Sequence, residues 1–186
     1  MSVKFAIRLL TTTKKDVLGP VQDSKAYISH ILLVDRRSFE NTTSFVDRNA
    51  YFFTKQGQSA IDGGSRSNMI NADSLSEAIG EFISDQKMDN VLGHKSGENT
   101  IGISSLWQST LQVSATCNEV IERIALDKIK ETTKESPVEK SSEQKAWIKA
   151  MHDAIRQRLT YGSSSPSTGL VMAVLGHDEC KRRLKN

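Results

Sequence analysis

Cysteine is almost missing from this chain: its 186 residues hold two, Cys117 and Cys180. They lie far apart and form no C-x-x-C pair, so a disulfide framework is excluded. Long hydrophobic runs are missing too. The longest, Leu170 to Leu175, has six residues, against the roughly 20 a bilayer-spanning helix needs. The N-terminal stretch MSVKFAIRLLTTTKK has no apolar core followed by a small-residue cleavage site, so it reads as a first strand rather than a signal peptide. These absences point to a soluble protein in a reducing, intracellular setting, either the cytoplasm or a particle assembled there. In that setting the triplet Asn41-Thr42-Thr43 carries no glycosylation meaning.

Catalytic motifs are also lacking. No G-x-S-x-G, H-E-x-x-H or G-x-G-x-x-G occurs. His94-Lys95-Ser96, between Gly93 and Gly97, lacks the spacing of a phosphate-binding loop. His177 and Cys180 have H-x-x-C spacing, but a structural zinc site needs four ligands. Cys117 falls in phase with a helical apolar face, and His30 sits inside an apolar run, so both read as core residues. Neither a catalytic site, a metal nor a cofactor is expected.

Apolar residues make up 37% of the chain, below the usual globular level, and charged residues 25%. The charge is sorted into blocks. Residues 1–60 carry nine Lys/Arg against five Asp/Glu, residues 61–136 seven against twelve, and residues 137–186 nine against five. Basic ends thus flank an acidic middle, an arrangement that attracts a polyanion or a second copy of the chain.

Alternation predicts a strand over residues 3–12, with Val3, Phe5, Ile7 and Leu9 on one face. Residues 26–34 and 44–54 read as two more strands, joined by connections too short for parallel crossovers. Residues 55–72, with Gly57, Gly63 and Gly64, read as a long loop. A first helix is expected from Ser74, with Ser74 and Glu77 as a capping box, to about Met88–Gly93. A short strand to about Ser104 and a long helix from about Leu106 to Lys130 follow. Residues 131–142 read as a linker, and a third helix runs from about Glu143 to Leu159 with Gly162 as its terminator. Residues 169–176 fit a buried strand or a short helix equally well, and 177–186 read as an exposed basic tail. The expected fold is therefore α+β: one domain with an N-terminal antiparallel sheet of about three to five strands over 1–54, packed by about three helices over 73–160.

Two charge patterns carry the functional expectation. Lys145, Lys149, His152 and Arg156 are spaced four, three and four, so they share one helix face opposite an apolar stripe, with Arg158 nearby. With Lys181, Arg182 and Arg183 in the tail, they are the candidate phosphate contacts. Asp73, Glu77, Glu81, Asp85 and Asp89 recur every four residues, an acidic ridge whose self-repulsion asks for a cationic partner. A basic surface on another copy supplies one, so Asp73, Glu77, Glu81 and Asp85 are the candidate self-association residues. The expectation is a non-catalytic, self-assembling structural protein of the coat-protein or nucleoprotein kind. Its partners are other copies of itself and nucleic acid contacted without sequence readout, with no membrane. The alternatives are a small enzyme acting on nucleic acid or nucleotide through the 55–68 or 93–99 loops, and a monomeric adaptor for an acidic protein.

Overall fold

The stretch that looks most strand-like in the sequence is a helix. A computed structural model describes residues 24–35, 41–53, 70–93, 103–132, 137–163 and 165–185. These form seven α-helices: α1 Ser24–Asp35, α2 Thr42–Arg48, α3 Ala72–Ile83, α4 Gln86–Gly93, α5 Ile103–Thr132, α6 Pro137–Thr160 and α7 Thr168–Leu184. One 3-10 turn, Ala50–Phe52, follows α2. There is no strand among the described residues, so the α+β expectation and its sheet are corrected to an all-helical fold. The proposed strand over 3–12 and most of the 55–72 and 93–99 loops lie outside the described residues.

The reason for the error is visible at α1. Its apolar residues run almost without a break, which suits a buried strand or a buried helix equally. Yet Ile28, Ile31 and Val34, the buried residues, fall three apart, on one helical face. The 44–54 segment, expected as a strand, is the short helix α2 followed by the 3-10 turn. The Asn41 side chain accepts a hydrogen bond from the Ser44 amide (2.9 Å), which starts α2. Tyr51, Phe52 and Phe53 then turn into the core, and the Tyr27 hydroxyl donates to Phe52 O (2.8 Å), tying this turn to α1. Beneath it, buried Asp35 accepts from Arg48 Nε (3.0 Å) and Asn49 Nδ2 (2.9 Å), joining the end of α1 to the end of α2.

The acidic helix is two helices. α3 starts at Asn71, whose side chain accepts from the Asp73 amide (3.1 Å), so Ser74 and Glu77 lie within the first turns rather than forming the cap. It stops at Ile83. Asp85 then caps α4 by accepting from the amides of Lys87 (2.8 Å) and Met88 (3.3 Å).

α5 is the organiser. At 30 residues it is about 45 Å long, and it packs on α7 most extensively, then on α6, α4 and α3. Thr110, Val113, Cys117, Val120, Ile121 and Ile124 form its buried stripe. The proposed strand at 100–104 is not seen where the chain is described, since Ile103 and Ser104 already belong to the helix. α6 begins at Pro137, inside the proposed linker, because proline suits the first helical turn. Its core stripe is as expected: Trp147, Met151, Ile155 and Leu159 are buried. Gly162, with φ 78°, ends it.

α7 replaces both the ambiguous 169–176 segment and the exposed tail. It is broken at Gly176 (φ 74°, ψ 175°), a backbone conformation that only glycine takes without strain. Its second half, 177–184, buries Cys180, Arg183 and Leu184. The expected exposed tail is therefore a helix as far as Leu184, with Asp178 and Arg182 exposed on it and Cys180, Arg183 and Leu184 buried.

Candidate functional site

The candidate residues fall into three groups once placed on the fold. The acidic ridge is the first, and its cations come from the same chain. Lys128 on α5, nearly buried, reaches both Glu77 (3.3 Å) and Glu81 (2.8 Å). The hydrogen bond that the Lys128 ammonium donates to Glu81 holds its pKa above the usual lysine range. Arg123 pairs with Asp85, and Lys87 with Glu119. Asp89 is held by Lys181 Nζ (2.8 Å) and His177 Nε2 (3.0 Å), both on α7. Asp73, exposed in the first turn of α3, is the one member of the ridge with no ion-pair partner among the described residues. The repulsion along the ridge is thus offset inside the fold, and the ridge is not a bare surface waiting for a second copy. Sequence periodicity put these carboxylates on one face correctly. It missed Arg123 and Lys128, because nothing local says that α5 crosses that face.

The second group is the supposed basic tail. Arg182 forks onto Glu179 with Nε at 2.8 Å and Nη2 at 2.6 Å. Arg183 also reaches Glu179 (Nε, 2.7 Å), donates to Leu159 O and lies 5.0 Å over the Tyr161 ring. From the other side, Arg158 donates to Leu184 O (3.0 Å). Arg158, Lys181 and Arg183 therefore fasten the end of α7 to α4 and α6, and Arg182 pairs with Glu179 within α7. A local signal was present: Glu179 precedes Arg182 and Arg183 by three and four residues, helical ion-pair spacing.

This clamp predicts an acid limit. Hydrogen bonds from Lys181, then His177, hold the Asp89 carboxyl below its usual range. Burial pushes Glu179 up, but hydrogen bonds from Arg182 and Arg183 outweigh it, and the net shift is downward. Both groups are depressed in the folded state, so their stabilisation is present above the unfolded carboxylate range and is lost as pH falls through the folded values. Burial also holds His30 and His152 below the ordinary histidine range in the fold. Thermal stability should therefore begin to fall below about pH 6.5, as the unfolded histidines take up protons. It should fall further below about 4, as Asp89 and Glu179 are protonated. A melting series against pH checks this, and Asp89→Asn should shallow the decline.

The third group is on α6. Lys145 and Lys149 are exposed, and among the described residues neither has an ion-pair partner. Arg156 is exposed too and pairs with Asp153 one turn back (2.8 Å). His152 is half-buried, its Nδ1 3.3 Å from Thr168 Oγ1, and burial, then Arg156, lowers its pKa. It adds no charge to the stripe at neutral pH. Lys145 to Arg156 spans eleven residues, about 16 Å along the helix.

Apart from these groups, a cleft of about 710 Å³ opens between α1, α4, α5 and the break in α7. His30 lines it, with Nε2 2.8 Å from Thr110 Oγ1, and burial lowers its pKa to about 4. The residue treated as a core histidine is half-buried at the edge of a cavity. The cysteines do behave as core thiols. Burial pushes Cys117 up to about 12 and Cys180 higher still, so neither is a thiolate at neutral pH. Among the described residues no three His, Cys, Asp or Glu side chains converge as metal ligands. No helix there is long and apolar enough to cross a membrane.

Among the described residues, then, the chain is an all-helical protein whose charged groups are mostly spent on its own packing. Compared with known proteins, it matches no family model, no curated protein and no solved structure.

Proposed function

We propose that this is a non-catalytic structural protein that contacts nucleic acid along the outer face of α6, in the manner of a coat protein or nucleoprotein that also associates with itself. The observation that carries the proposal is a contrast between cations. Lys145 and Lys149 are exposed and unpaired among the described residues, whereas Lys181, Arg182 and Arg183 are engaged internally. Cations lined along an outward helix face, opposite a buried apolar stripe, suit a phosphate backbone. The binding set is therefore narrowed to Lys145, Lys149 and Arg156. No aromatic side chain is exposed between them, since Trp147 is buried. Base stacking has no platform there, and contact through phosphates alone carries no sequence information.

The internal pairing of the acidic ridge leaves Glu77, Glu81 and Asp85 out of the self-association surface proposed here. Self-association is kept as part of the reading, without assigned residues.

Three cations bound the salt dependence. The slope of log K against log salt should be no steeper than about −2 on a single strand and about −3 on a duplex. Fluorescence anisotropy between 50 and 200 mM salt, a span over which phosphate-driven binding changes by orders of magnitude, measures it. Lys149→Glu combined with Arg156→Glu should weaken binding and flatten the slope to that of one contact. If affinity and slope stay unchanged, the face is merely solvated and the proposal fails.

A further inference from the structure

We propose that the cleft between α1, α4, α5 and the break in α7 binds a small amphipathic amine, its apolar body against Leu92, Leu106 and Val113 and its ammonium group on Asp178. The cleft's volume, about 710 Å³, lies in the range of ligand pockets. One side of it is apolar, built by α4 and α5. The other is polar, built where Gly176 breaks α7 and turns the start of the 177–184 helix toward the opening.

The hydrogen-bonding groups decide the ligand class. The Thr110 hydroxyl donates to Leu106 O (2.7 Å), so its oxygen accepts from His30 Nε2–H (2.8 Å). That fixes the tautomer and leaves His30 Nδ1 as a lone pair, without a partner among the described residues. The ring stays neutral in ordinary buffers, because burial holds its pKa near 4. His30 therefore offers an acceptor and attracts no anion.

At the rim the cations are committed. Arg182 forks onto Glu179, and both nitrogens of His177 face carboxylates, Asp89 at 3.0 Å and Asp178 at 3.1 Å. The Asp178 side chain is fully exposed, and only one of its oxygens is engaged. What remains for a ligand is an acceptor in the wall and a carboxylate at the mouth, with an apolar surface between. Among the described residues, phosphates and carboxylates find no uncommitted cation in the lining. The first turn of the 177–184 helix has the polarity that attracts anions, but Asp178 already occupies that turn. A donor-bearing cation with an apolar body fits both ends. The site uses none of the α6 residues assigned to nucleic acid, so either proposal can fail alone.

Three probes with one ring system separate the outcomes: tryptamine, which carries an ammonium; indole, which carries none; and indole-3-acetate, which carries a carboxylate. The full chain, with its four histidines labelled, is titrated with each and followed by NMR. The His30 signal is assigned by its loss in His30→Gln. Tryptamine should shift that signal saturably, and indole-3-acetate should bind at least tenfold more weakly. Asp178→Asn, a fully exposed change, should weaken tryptamine by about two- to fivefold, the worth of an exposed ion pair, and leave indole unaffected. Three results each overturn the proposal: no saturable shift at about 10 mM tryptamine, well above a millimolar dissociation constant; equal binding of indole-3-acetate; or tryptamine affinity untouched by Asp178→Asn.

Discussion

Replacing Gly169 by alanine should destabilise the fold by about 3 kcal/mol, the upper part of the range for overpacking. A Cβ on Gly169 would lie 2.4 Å from Ser114 Cα and 2.9 Å from the Ser114 Cβ and Oγ. The nearest atom is backbone, not the tip of a flexible side chain, so α7 and α5 must move apart. These two helices make the most extensive contact in the protein. Their seam includes the Cys117 thiol packed on Met172 (3.9 Å between sulfurs). Separation loosens that whole seam, and close-packed interiors relax only partly. The same substitution at Gly80 is the control. Gly80 lies on the exposed side of α3 with nothing within 4 Å of the would-be Cβ. There alanine should stabilise by about 0.5–1 kcal/mol through helix propensity alone. Denaturant unfolding of the two variants reads the contrast directly. A Gly169→Ala variant as stable as Gly80→Ala would show that the helices do not cross this closely.

That crossing shows where sequence reading reaches and where it stops. α5 and α6 were legible because their apolar residues keep helical spacing for more than three turns, long enough to rule out a strand. α1 was not. Its run from Ala26 to Val34 is apolar on nearly every side, and β-branched residues weigh toward strand. Only burial picks out Ile28, Ile31 and Val34 as the inner face. α2 is seven residues long, too short for helical periodicity to show, and the cap at Asn41 is its main local mark. The site fared likewise. The α6 stripe was legible as a set of positions, since Lys145, Lys149 and Arg156 do share a face. That Lys181 and Arg183 are structural was not, because their partners are distant in sequence: Asp89, 92 residues back, holds Lys181, and Leu159, 24 residues back, accepts from Arg183. Charge periodicity names a face. It says nothing about what packs there.

The second large effect is expected at Arg183. Arg183→Ala should cost about 3 kcal/mol of stability, the lower end for breaking a buried ion pair from one side. The Arg183 side chain is 2% exposed. Removing it leaves Leu159 O without its donor and empties the space over the Tyr161 ring. Glu179 keeps Arg182, which is why the loss stays at the lower end. Arg183→Lys should recover only part, because an ammonium is a single point and not a planar fork that serves Glu179 and Leu159 O together. Lys185→Ala is the matched control: it removes a charge of the same sign from an exposed position two residues on, and stability should change by less than about 0.5 kcal/mol. Guanidinium unfolding of the three variants, with nucleic-acid affinity measured where each is still folded, separates the two roles. If Arg183→Ala lowers affinity while stability holds, Arg183 is a binding cation. If stability falls and the salt slope of the folded protein is unchanged, its charge serves the end of α7, and the phosphate contacts lie on α6.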